Sequence, residues 1–120
     1  MSYARNQAVA AYGERIAADH LRSAGMDVVD RNWRCRQGEI DIVARDGTTV
    51  VVCEVKTRST DRYGGPVEAV TARKAERLRR LAHAWLEAHD EQPEGLRIDV
   101  VSVVVPSRGR AKVTAIRGVA

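Results

Sequence analysis

Residues 38–58 read GEIDIVARDGTTVVVCEVKTR, two runs of alternating apolar and polar residues separated by Asp46-Gly47. Alternation of this kind specifies extended strands with one half-buried face, and an Asp-Gly pair between two such runs is a strong hairpin signal. Along the first run Glu39, Asp41 and Val43 share one face, while Ile40, Ile42 and Ala44 share the other. Along the second run Val50, Val52, Glu54 and Lys56 fall together. A two-residue Asp46-Gly47 turn pairs Arg45 with Thr48, which sets Asp41 opposite Val52 and Glu39 opposite Glu54. Glu39, Asp41, Glu54 and Lys56 then share one face, with Arg58 joining if the strand continues, and Ile40, Ile42, Val51, Cys53 and Val55 make the other face apolar. A three-residue loop would place Asp41 and Glu54 on opposite faces, so the reading depends on the turn.

Three carboxylates against one ammonium repel one another, and withdrawing them from water costs more. Exposure of a plain solvated face would relieve the repulsion, but Val50 and Val52 lie on the same face as the charges. Glu14 adds a second objection. It stands three residues before Ala17 and seven before Leu21, toward the apolar stripe of the first helix, where an acid needs a partner. A hard cation would resolve the conflict, since oxygen ligands on rigid strands suit Mg²⁺ or Mn²⁺, which keep several waters and are held by one or two carboxylates plus phosphate.

Outward from the hairpin, the Ala-rich segment from about Asn6 to Ala24 has helical spacing and a stop at Gly25. Residues 27–35 form a strand of weaker alternation. After the hairpin, Ser59, Thr60, Asp61, Gly64, Gly65 and Pro66 are loop chemistry, and Thr71 is an N-cap for a helix to about His89 with Ala75, Leu78, Leu81, Ala82, Trp85 and Leu86 on one stripe. Leu96 to Val105 is a Val-rich strand, and Val113 to Arg117 a short last one. The order α, β, β, β, α, β, β predicts an α/β fold, a mixed sheet flanked by helices, in one domain spanning residues 1–120.

Composition narrows the function classes. With 44% apolar and 30% charged residues the chain has globular character, and neither a signal-peptide h-region nor a run long enough to cross a bilayer is present, so a cytoplasmic protein without membrane contact is expected. Cys35 and Cys53 share no C-x-x-C spacing and, with His20, His83 and His89 scattered, make no zinc pattern; they read as buried reduced thiols, and His83 and His89 as surface or helix-end residues. A net charge of +4 favours a polyanionic partner without proving one. Its location is more telling: the second helix carries Arg73, Lys74, Arg77, Arg79 and Arg80 against Glu76 and Glu87, a pattern that suits either a solvated face or phosphate contact. Arg58, Arg62 and the loop beyond them lie next to the charged hairpin face, where Tyr63 would pack the loop or stack on a base.

Asp41 followed, after twelve residues, by Glu54-Val55-Lys56 resembles the D…(D/E)-x-K signature of the restriction-endonuclease-like nucleases. The longer string of Gly13-Glu14, Asn32-Trp33-Arg34, Gly38-Glu39-Ile40-Asp41 and Glu54-Val55-Lys56-x-Arg58 resembles the YraN family, small bacterial proteins similar to archaeal Holliday-junction resolvases. The resemblance implies a restriction-endonuclease-like αβββαβ core and a catalytic site of Asp41, Glu54, Lys56 and Glu14. Asp41 and Glu54 would be the principal metal ligands, Glu14 would complete the site, Lys56 would orient or help activate the attacking water, and Glu39 would support them. Ile40 stands where many members of the superfamily have proline, a difference of strand shape and not of chemistry.

The expected function is therefore a metal-dependent nuclease using Mg²⁺ or Mn²⁺ to hydrolyse DNA phosphodiester bonds, with branched or structured DNA among the substrates the resemblance implies. Arg58, Arg62, Arg73, Lys74 and Arg77 are the expected nucleic-acid contacts, and a homodimer is expected by analogy with the resolvases. The alternative is a non-catalytic nucleic-acid-binding module of the same fold that acts with a partner.

Overall fold

The computed structural model describes residues 3–59 and 70–119, with side chains described from Gln7 onward. Arg62, Tyr63 and the Gly64-Gly65 pair lie outside the described residues. The elements follow the predicted order: α1 (Tyr3–Ser23), β1 (Asp27–Cys35), β2 (Gly38–Asp46), β3 (Thr49–Ser59), α2 (Ala72–Ala88), β4 (Gly95–Val105) and β5 (Lys112–Ile116). The first six make the αβββαβ core.

Local chemistry sets the helix ends. Gly25 takes φ 91°, and with it the Gly25 N–H donates to Arg22 O and the Met26 N–H to Leu21 O, which closes α1 in a Schellman turn. Met26 and Leu21 are buried in the same cluster, the apolar contact that often accompanies this motif. Thr71 caps α2 as its spacing predicts, its Oγ1 accepting from the Lys74 N–H at 3.1 Å. Neither helix is long and apolar enough to cross a membrane.

The strands form one sheet in the order β1-β2-β3-β4-β5, antiparallel throughout except for the parallel β3–β4 pair that α2 connects. Helix α1 covers one face, packing Ala17, Ala18 and Leu21 on Ile42, Ala44, Val51, Cys53, Val101 and Val103. Helix α2 covers the other, packing Leu78, Leu81, Ala82 and Trp85 on Val43, Val50, Val52 and Ile98. The face that bears Val50 and Val52 is thus core over much of its length, and its charged end projects beyond α2's apolar stripe.

Two expectations about the hairpin are corrected. Asp46 pairs with Thr49, so the turn is Gly47-Thr48 and every opposed pair is displaced from the predicted one. Gly47 carries φ 63° while Thr48 is not among the residues of positive φ, the pattern of a type II′ turn with glycine first. The parity survives this slip over the paired residues: Val43 faces Val52, and Val43, Val50 and Val52 remain on the face predicted for them. Ile40 does not. It packs beneath α2 while Ile42 packs beneath α1, because the regular alternation is broken at Asp41. The break is shared by β1, where Asn32, flanked by the pairs Arg31–Ile42 and Trp33–Ile40, takes φ 52°.

Both cysteines are free thiols; Cys53 is buried as expected, whereas Cys35 is only half-buried and its Sγ lies 3.1 Å from Gln37 Oε1. His89 caps the end of α2 and stacks on Trp85 at 4.3 Å between ring centroids, and the Trp85 indole N–H donates to Asp30 Oδ2 at 2.8 Å. These contacts staple the C-terminal end of α2 to β1, which holds the first turn of α2 over the charged end of the hairpin.

Candidate active site at the divergence of the central strands

The β2–β3 ladder ends at the Ile42–Cys53 pair. One step beyond, Asp41 Oδ2 accepts a 2.8 Å hydrogen bond from the Val55 N–H, so a side-chain carboxylate replaces the main-chain acceptor that a continuing strand would have offered. The strands separate there, and the carboxylate fills the cleft. Burial pushes the Asp41 carboxyl up to about 6; the Val55 hydrogen bond opposes the rise, and the charges of Glu14, Glu54 and Glu39 add to it. Four acids from α1, β2 and β3 therefore share one electrostatic neighbourhood.

Each neighbour has its own support. Glu14 comes from α1, which crosses β3 closely at Gly13, and its Oε1 accepts from Asn32 Nδ2 at 2.7 Å. That bond explains the left-handed Asn32: asparagine tolerates this backbone region, and the resulting turn of β1 aims its amide at α1. Glu39 is engaged by Arg34 at 3.0 Å on the outer side. Glu54, whose side chain is only 13% exposed, is held between two ammonium groups: Lys74 of α2 in direct contact with Oε2, and Lys56 at 4.0 Å from the same oxygen.

The two lysines titrate as neighbours. Contact with Lys74, desolvation and the Lys74 charge all lower the Lys56 pKa, against the pull of Glu54. Lys74 is desolvated too, which acts to lower it, yet its bond to Glu54 raises it overall. Arg58, further along β3, adds positive charge beside Lys56. The arrangement is a pair of half-buried carboxylates rimmed by cations, a polarity suited to receiving a phosphodiester.

Asp41, Glu54, Lys56 and Glu14, the residues singled out by the sequence, converge here. Of the basic residues expected at nucleic acid, Arg58 flanks the cleft, Arg73 is exposed on the first turn of α2, and Arg77 is half-buried near Gly38. Lys74 takes a position that sequence reasoning did not give it, inside the site at Glu54. Its distance in sequence from Glu54 hid that role, because only the docking of α2 on the sheet brings them together. Asn32 was likewise visible only as one letter of a resemblance.

The donor set is all oxygen and negatively charged, and the crowding that raises Asp41 is a charge a divalent cation would neutralise. Among the described residues no group of three or more His, Cys, Asp or Glu side chains stands close enough to cage a metal ion. The residues fit a cation held by Asp41 and Glu54, with water and phosphate completing its shell, rather than a closed protein cage.

Residues 13–103 match the uncharacterised protein family UPF0102. The chain is 58% identical over 113 residues to a UPF0102 protein of Kineococcus radiotolerans, covering 93% of each chain. It is 54% identical over 113 residues to one of Nocardioides sp., covering 94% of this chain and 91% of that one. It is also 56% identical over 115 residues to the UPF0102 protein SCO5602 of Streptomyces coelicolor, covering 94% and 88%. The chain belongs to the UPF0102 (YraN) family, a restriction-endonuclease-like group.

Proposed function

We propose that this member of the UPF0102 family is a metal-dependent nuclease that hydrolyses DNA phosphodiester bonds, with branched or structured DNA as a substrate class. The observation that carries the reading is Asp41: a carboxylate at the point where two central strands part, held by the Val55 N–H and raised to about 6 by burial and by three neighbouring acids, one of which, Glu54, has Lys56 4.0 Å away. A scaffold gains nothing from such crowding, whereas a phosphoryl-transfer site uses it.

Hydrolysis of a phosphodiester requires an in-line water, neutralisation of the charge that develops on phosphorus oxygens, and stabilisation of the leaving oxygen. Asp41 and Glu54 would hold a Mg²⁺ or Mn²⁺ ion, which would supply charge neutralisation and a more acidic water when bound. Lys56, 4.0 Å from Glu54 and lowered in pKa by Lys74, orients the attacking water and donates to the phosphate as charge builds. Glu14, fixed by Asn32, accepts a hydrogen bond from that water. Arg58 and the basic residues of α2 position the backbone of the nucleic acid.

The test is a cleavage panel of duplex, single-stranded, flap and four-way-junction DNA with Mg²⁺ and Mn²⁺, comparing wild type with Lys56→Ala. Cleavage that requires the metal and is lost in Lys56→Ala, with binding largely kept, is the expected result. Salt-sensitive binding without cleavage of any form would favour the alternative of a non-catalytic module.

A further inference from the structure

We propose that Lys74 is a latch on Glu54: its ammonium occupies this carboxylate while no nucleic acid is bound, and a substrate phosphate draws it away and frees Glu54 for the cation. This rests on the reading of Asp41 and Glu54 as cation ligands.

The contact is direct and sheltered. Lys74 Nζ touches Glu54 Oε2, and the two side chains are 27% and 13% exposed. Lys56, more open at 43%, reaches the same oxygen only at 4.0 Å. A carboxylate so nearly buried is costly to leave without a counter-charge, so the ion pair persists until another positive charge replaces it. A divalent cation at Glu54 therefore competes with Lys74 for Oε2.

The geometry also supplies the release. The Lys74 backbone is fixed by the cap, its N–H donating to Thr71 Oγ1, so exchange needs only rotation of the four-carbon side chain. Arg73 precedes it on an exposed turn, and a phosphate there would attract the Lys74 ammonium outward. Nucleic acid and cation then assist each other's binding by one shared factor, as linkage requires. The site would load its metal on the substrate and remain latched without it.

Mn²⁺ titration followed by calorimetry decides the matter for wild type, Lys74→Met, Lys56→Met and Glu54→Gln, each with and without a phosphorothioate duplex that resists cleavage. Lys74→Gln serves as a second variant where methionine loosens α2, and circular dichroism checks the fold. Without DNA, Lys74→Met should bind Mn²⁺ about fivefold or more tighter than wild type and Lys56→Met should gain less, within the usual range of site-to-site coupling. The duplex should tighten Mn²⁺ binding by wild type and much less by Lys74→Met. Equal or weaker binding by the Lys74 variants, an equal gain in Lys56→Met, or an undiminished duplex effect in Lys74→Met would overturn the latch, and loss of binding in Glu54→Gln would still leave the site reading intact. Failure of every protein to bind Mn²⁺, with or without duplex, would overturn both.

Discussion

A Cβ atom on Gly13 would lie 1.9 Å from Oγ1 of Thr57 and 2.8 Å from its Cβ, so α1 crosses β3 at a separation that only glycine allows. The crossing delivers the next residue, Glu14, to Asn32 and to the neighbourhood of Asp41. Gly13-Glu14 is thus a single device: the glycine sets the depth of the helix, and the acid uses it.

Gly13→Ala should destabilise the protein by about 1–3 kcal/mol, the usual cost of overpacking, and should weaken any activity that depends on Glu14. Thr57→Ala in the same chain should restore part of the loss, because it removes the Oγ1 and Cγ2 atoms but leaves the Cβ at 2.8 Å. Urea denaturation of the four proteins of this cycle measures the coupling. Additive effects of the two changes would show that the helix does not rest on Thr57.

At Asn32 the backbone and the side chain can be separated. Asn32→Gly keeps the left-handed conformation at φ 52° and deletes only the amide that holds Glu14. Asn32→Ala loses the same amide and adds about 1–2 kcal/mol of backbone strain. Thermal melts should rank wild type and glycine above alanine, while both variants lose the Glu14 contact alike. Alanine as stable as glycine would remove the strain from the account.

Asp41 predicts a pH dependence with a definite sign. Its carboxyl is raised from 3.8 to about 6 in the folded state, so the fold holds this proton where the unfolded chain has released it. The contribution to stability is fully present below about pH 4 and is lost as pH rises through about 6. Asp41→Asn keeps an oxygen for the Val55 N–H and carries no charge, so above pH 7 it should be more stable than wild type by on the order of 1–3 kcal/mol. The advantage should vanish by pH 4. Chemical denaturation across that range would show it, and a constant difference would place the burial cost elsewhere.

Arg73 and Arg77 lie on the α2 face beside the cleft, whereas Lys74 is engaged with Glu54. Arg73→Ala with Arg77→Ala should weaken DNA binding and flatten its salt dependence, as expected for up to two lost phosphate contacts. Fluorescence anisotropy at several salt concentrations reads both quantities. An unchanged slope would assign the charge of α2 to solvation.

The sequence by itself determined the elements, because each rests on local signals: alternation in β2 and β3, the Thr71 cap, Gly25 at the end of α1, and the α2 stripe. It also placed Val43, Val50 and Val52 on one face, and it did so despite the wrong turn, since a slip of the opposed pairs by two residues preserves the parity of a strand. The side of Ile40 was not legible, because the break at Asp41 and Asn32 belongs to two strands at once and neither run of residues announces it. Nor was the position of Lys74, which alternation and helical period place on a helix surface like its neighbours. Only the packing of α2 across the sheet, fixed by Leu78, Leu81 and Trp85 and by the staple from Trp85 to Asp30, decides which of its cations reaches Glu54. Contacts between residues far apart in the chain depend on how whole elements dock, and that is set by the sum of their buried faces rather than by any one stretch of sequence.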